Sequence, residues 1–204
     1  MNANKITIST SNSKLGVAIP TVNLPPITTC RKNAPCYKYC YARKGNFRFS
    51  NVEKSLQHNL EVYETDAESY FNQIKYYLLS LPYKYFRYHS SGDIVDMQYL
   101  DYMCKVARAV KKTSFLCFTK KYELVNEYIS LGHKIPKNLT IVFSNWGSFQ
   151  CENPYKLPTT WVKFKDSSIE SNIPKNAIEC SGHCASCQLC WKLKSKQAVY
   201  FNQH

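Results

Sequence analysis

Residues 85–121 read YFRYHSSGDIVDMQYLDYMCKVARAVKKTSFLCFTKK. Residues 85–89 form a short, mostly aromatic run of strand length, and 113–118 form another. Between them Met97, Leu100, Cys104 and Ala107 return at helical spacing, which predicts a helix over about 96–111. A strand that reaches the next strand through a helix is a parallel unit, because a tight turn can join only antiparallel neighbours. The alternation continues with a helix over 123–131 ended by Gly132, a strand over 140–143 and another over 160–164. Upstream, Asp66 suits a helix N-cap, Phe71, Ile74, Leu78 and Leu81 share a helical face, and Pro82 stops the helix. Short extended stretches are expected at 5–10 and 15–19, before Pro25 and Pro26 turn the chain into a loop. The expected fold class is α/β. Right-handed crossovers would curl the parallel strands of residues 1–165 into a partial βα barrel or an open sheet. A linker over 166–175 then opens a cysteine-rich extension, 166–204, which closes on a short strand at 198–201.

In folds of this kind chemistry gathers where the strands end. His89, Ser90, Ser91, Gly92 and Asp93 follow one strand; Thr119 and Lys120 follow the next; Ser144, Asn145 and Trp146 follow the third. Turn residues are polar in any case, so position alone does not assign them a role.

Seven of the ten cysteines fall into two tight groups: Cys30, Cys36 and Cys40 in CRKNAPCYKYC, and Cys180, Cys184, Cys187 and Cys190 in CSGHCASCQLC. Thiolates two to five residues apart can close around one metal centre. The first group has three local ligands, which leaves one position of a [4Fe-4S] cubane open to an outside molecule. A zinc site completed by His89 or Cys151 is the alternative. The second group can hold a [4Fe-4S] cluster by itself, share a ligand with the first, or bind structural zinc. Cys104 and Cys117 lie in apolar runs and are expected in the core.

The formal charge of +13 favours an anionic partner, and cations and aromatics alternate around the first group (Arg31, Lys32, Lys38, Arg43, Lys44 and Arg48 among Tyr37, Tyr39, Tyr41, Phe47 and Phe49). The same residues can neutralise and shield an anionic cluster, so nucleic acid is a candidate partner and not the favoured one. No apolar run reaches membrane-spanning length and no signal-peptide pattern follows Met1, so a cytoplasmic location is expected. In a reducing cytoplasm ten cysteines point to metal ahead of disulfides.

The order of these features resembles the radical S-adenosylmethionine enzymes. The resemblance implies that Cys30, Cys36 and Cys40 ligate a [4Fe-4S] cluster with Tyr39 beside it. It also implies that Ser91, Gly92 and Asp93 stand where the amino group of S-adenosylmethionine binds. The cysteine spacing here, x5 then x3, departs from the usual x3 then x2 of that superfamily. Across most of the chain, CRKNAPCYKYCYARKG, FRYHSSGDIVDMQYLDYMCKVARAV, FLCFTKKYELV and CSGHCASCQLCW, with a terminal aromatic and His204, are similar to the phage family called gene product 88. That likeness implies a radical-SAM-like iron–sulfur protein, in the host cytoplasm if viral, and leaves open its reaction, its substrate and its electron donor. Three functions follow as expectations: S-adenosylmethionine-dependent radical chemistry, electron transfer or redox sensing without catalysis, and a zinc-stabilised nucleic-acid-binding module.

Overall fold

The computed structural model describes residues 4–203 apart from 11, 13, 148, 150 and 167, so His204 lies outside the described residues. The protein is a mixed α/β structure built on one eight-stranded sheet. In chain order the strands are β1 (Ile8–Ser9), β2 (Thr21–Val22), β3 (Tyr85–Tyr88), β4 (Ser114–Thr119), β5 (Leu139–Ser144), β6 (Thr159–Lys163), β7 (Ile178–Glu179) and β8 (Ala198–Asn202). They lie side by side as β1-β2-β3-β4-β5-β6-β8-β7, with β1 antiparallel to β2 and every other pair parallel. Chain order and spatial order therefore agree from β1 to β6, as expected when each crossover moves the chain one strand along.

The helices are α1 (Ser50–Thr65), α2 (Ala67–Ser80), α3 (Met97–Ala109), α4 (Tyr122–Ser130) and the single turn α5 (Cys184–Cys187). Asp66 ends α1 and caps α2, its carboxylate accepting from the Ser69 amide at 2.9 Å. Asp96 caps α3 through the Tyr99 amide at 2.8 Å, and the same oxygen accepts from the Tyr63 hydroxyl at 2.7 Å, which ties α1 to α3. Between the helices and the sheet, Tyr63, Phe71 and Tyr99 pack edge to face with ring centres 4.7 to 6.2 Å apart.

Strand alternation sends Phe86, Tyr88, Phe115, Cys117, Ile141 and Phe143 into this helix-side core. Tyr85, Leu116, Val142 and Val199 point to the other face, where Trp191 and Leu193 of the cysteine-rich segment cover them together with Leu15 and Ile19. Trp191 is anchored there by its indole N–H, which donates to the Phe86 carbonyl at 2.9 Å, while Thr140 donates to the Trp191 carbonyl at 3.0 Å. Cys104 and Cys117 are buried in the helix-side core, as expected.

Residues 15–19 form no strand. The Asn12 side chain accepts from the amides of Lys14 and Leu15, and Gly16, at φ 66°, donates to the Asn12 carbonyl. That turn folds Leu15 and Ile19 onto the sheet, and pairing begins only at Thr21. The apolar character read as an extended stretch belongs to side chains that cover a face. No helix among the described residues is long and apolar enough to cross a membrane.

Candidate functional site

The loop that leaves β2 and carries the first three cysteines lies across the ends of β3, β4 and β5. Its hold begins with Asn23, whose side-chain oxygen accepts from the amides of Ser90 at 2.7 Å and Ser91 at 3.3 Å. Leu24 and Ser91 exchange two further bonds: the Leu24 amide donates to the Ser91 carbonyl, and the Ser91 hydroxyl donates to the Leu24 carbonyl, both at 3.0 Å. Gly92 adopts φ 85°, and a Cβ there would sit 2.7 Å from Leu24 Cβ and 2.8 Å from Thr29 Oγ1. Both the backbone sign and the close approach require glycine.

Asp93 completes the fastening. One carboxylate oxygen accepts from the Ile94 amide at 2.8 Å and the other from the Lys120 amide at 2.9 Å, joining the end of β3 to the end of β4. Burial raises its pKa above the ordinary carboxylate value, and the bonds from Lys120 and Thr119 oppose that rise.

Further contacts seat the cysteine loop itself. The Tyr41 hydroxyl donates to the Ser90 carbonyl. Tyr39 stacks on Trp146 with ring centres 6.0 Å apart. Arg31 pairs with Glu123 at 2.7 Å and lies over the Phe149 ring at 5.0 Å. Lys120 reaches across to the Ser144 hydroxyl at 2.7 Å. The Ser90 hydroxyl, buried in the middle of this arrangement, has no hydrogen-bond partner.

Cys30, Cys36 and Cys40 come close enough to repel one another's charge. Burial pushes the Cys30 thiol up to about 11, with Asp93, Cys40 and Cys36 adding to the shift. Burial also raises Cys40, whereas Arg43 and Lys120 pull it down. The second four cysteines also meet, against the sheet face that carries no long helix. Cys180 follows β7 and its amide donates to the Tyr200 carbonyl; the Cys184 amide donates to the Lys14 carbonyl. Burial, then Cys180 and Cys184, push the Cys190 thiol up to about 12. Arg87, in β3 and 4.9 Å above the Phe118 ring, opposes the rise that burial imposes on both Cys184 and Cys190, and its Nε is a buried donor with no partner. Among the described residues no three His, Cys, Asp or Glu side chains converge tightly enough to hold a single metal ion.

His89 is buried between Tyr99, whose hydroxyl lies 2.9 Å from Nε2, and the Cys117 sulfur, 3.8 Å from Nδ1. Burial lowers its pKa to about 3, helped by Arg87 and Lys121. Its ring is thus engaged on the helix side of the sheet. Cys151 lies by Asn145, whose side chain accepts from the Cys151 amide at 2.9 Å.

Sequence reasoning does not single out Asn23, Thr29 or Arg87 as parts of the site, and places Tyr41 only among the aromatics around the first cysteine group. Asn23 and Thr29 look like ordinary loop residues, Tyr41 is one of several aromatics in its segment, and Arg87 reads as the polar half of a strand's alternation. Only their distant partners distinguish them: Asn23 meets Ser90 and Ser91, Thr29 the Asp93 amide, Tyr41 the Ser90 carbonyl 49 residues on, and Arg87 stands by Cys184 and Cys190.

The family model described as Gene product 88 matches residues 1–193. No curated protein and no solved structure matches the chain.

Proposed function

The chain belongs to the gene product 88 family, and from that premise we propose that it is an iron–sulfur protein of radical-SAM-like design. In this reading the parallel sheet is a partial βα barrel. Cys30, Cys36 and Cys40 hold a [4Fe-4S] cluster at its mouth, S-adenosylmethionine is the outside ligand, and Cys180, Cys184, Cys187 and Cys190 hold a second cluster. The observation that carries the reading is the seating of a three-cysteine loop over the ends of β3, β4 and β5 by Tyr41, Tyr39 and Arg31. The donor sets suit anionic clusters: Arg43 and Lys120 stand near the first thiols and Arg87 near the second. A cluster held by three cysteines supplies an electron and one coordination position that the protein leaves open.

The chain's own residues would do the rest. Ser90, with its buried hydroxyl unpartnered, can bond a polar group placed at the mouth. Ser91, Gly92 and Asp93 hold the rim in register through Leu24, Thr29 and Lys120, so they orient what binds beside them. Tyr39 and Trp146 stack to form an aromatic wall on one side.

Anaerobically purified protein should be brown and contain iron and sulfide in equal amounts. Changing Cys30, Cys36 and Cys40 together to Ala should remove one cluster and leave the other. S-adenosylmethionine should alter the electron paramagnetic resonance of the reduced wild type and, with reductant, yield 5′-deoxyadenosine and methionine. A colourless, zinc-loaded protein would overturn the iron reading. An iron-loaded protein whose spectrum ignores S-adenosylmethionine would leave electron transfer or redox sensing as its function.

A further inference from the structure

A cleft of about 680 Å³ opens beside the first cysteine loop, with Cys40 in its lining and neither Ser90 nor Ser91. Four cations line it, Lys38, Arg43, Lys44 and Arg48, against the single carboxylate of Glu53. Among the described residues neither Lys38, Lys44 nor Arg48 has a carboxylate within ion-pair distance, and Arg43 lies over the Tyr37 ring. Four cations gathered at one concavity repel each other, and Glu53 is one carboxylate against the four. Glu53, Leu56 and Gln57, on the first two turns of α1, form another part of the wall.

Apart from Gln57 and Cys40 the remaining lining is apolar. Pro25, Pro26 and Ile27 form one side, and Phe47, packed edge to face against Tyr41 at 6.0 Å, supplies a ring. A cation-rich rim beside an aromatic and proline wall matches a ligand with a multiply charged phosphate chain at one end and a flat heterocycle at the other. S-adenosylmethionine does not match it: its sulfonium and ammonium outweigh its carboxylate, and the rim would repel it.

We propose that this cleft binds a nucleoside polyphosphate. The size suits a free nucleotide, since four cations line one pocket. Because Cys40 is part of the lining, the bound nucleotide would lie next to the first cysteine centre. Nucleotide binding does not depend on which metal the cysteines hold.

The test is titration of the intact, as-purified protein with a fluorescent N-methylanthraniloyl derivative of ATP, with iron assayed on the same sample. Saturable binding is expected, displaced by unlabelled ATP and weakened by salt. K44Q/R48Q should weaken it about tenfold or more, because charge-assisted bonds to phosphate are lost. K111Q/K112Q removes two exposed lysines outside the cleft and should leave binding unchanged. If K44Q/R48Q does not fold, R48E alone provides the same comparison. Equal loss in both double variants would reduce the effect to general basicity and overturn the proposal. So would the absence of saturable binding, or tight binding of a short single-stranded DNA that ATP cannot displace. Zinc in place of iron, with nucleotide binding intact, would sink the cluster reading and leave this one standing.

Discussion

Replacing Gly92 by Ala perturbs the rim of the site at a position where the cost divides into two parts. The first is backbone strain: an L side chain at φ 85° costs about 1–2 kcal/mol. The second is collision, because the new Cβ would meet Leu24 Cβ at 2.7 Å, Thr29 Oγ1 at 2.8 Å and Leu24 O at 2.9 Å. Two of those atoms cannot move freely. Leu24 O accepts the Ser91 hydroxyl, and Thr29 Oγ1 both donates to Pro25 O and accepts the Asp93 amide. Overpacking against such a network costs about 1–3 kcal/mol. Gly132 supplies the control, since it has φ 87° and nothing within 4 Å of its would-be Cβ. Gly132→Ala should therefore show the strain alone, and Gly92→Ala the strain and the collision together. With a urea slope of about 2 kcal/mol/M, the two unfolding midpoints should differ by roughly 0.5–1.5 M. The measurement is urea unfolding followed by far-UV circular dichroism, with both variants prepared identically. Equal midpoints would refute the account of the rim as a close-packed clamp between β2 and β3.

Two further perturbations probe the surroundings of the site. His89 has an unfolded pKa near 6.5 and a folded value of about 3, so below 6.5 the unfolded chain takes up a proton that the folded protein refuses. Stability should thus fall as pH drops from about 6.5 towards 3, by up to roughly 4–5 kcal/mol from this residue; His89→Gln should flatten that slope, and parallel pH profiles of wild type and variant would contradict it. Trp191→Ala should cost about 3–5 kcal/mol in urea unfolding, because the ring is 6% exposed and covers β4 and β5. Trp191→Phe, which mainly strands the Phe86 carbonyl, should cost about 1–3 kcal/mol, and a neutral result there would mean that the indole bond is not formed.

Much of the helix–strand pattern was legible because it is local. Helix α3 occupies Met97–Ala109 within the expected 96–111, and Asp66 caps α2 as its side chain suggested. Strands β3 to β6 fall within a residue or so of their predicted places, since apolar alternation and breakers are written in neighbouring positions. Residues 15–19 differ from the expected strand for a related reason: the burial of Leu15 and Ile19 arises from packing in one cluster with Trp191, and no local period records that.

The sequence alone determined the two groups of thiols, because ligands only a few residues apart must be near one another in any fold. Tertiary structure decided what surrounds them. Only packing places β8 between β6 and β7, brings Trp191 under Phe86 and sets Arg87 beside Cys184 and Cys190. Only packing joins Lys38, Lys44 and Arg48 to Pro25 and the start of α1 in one cleft. Spacing along the chain fixes short-range geometry, whereas the pairing of distant segments follows from which faces must be buried together. The thiols were therefore visible at once, and their cationic and aromatic surroundings only after the sheet had formed.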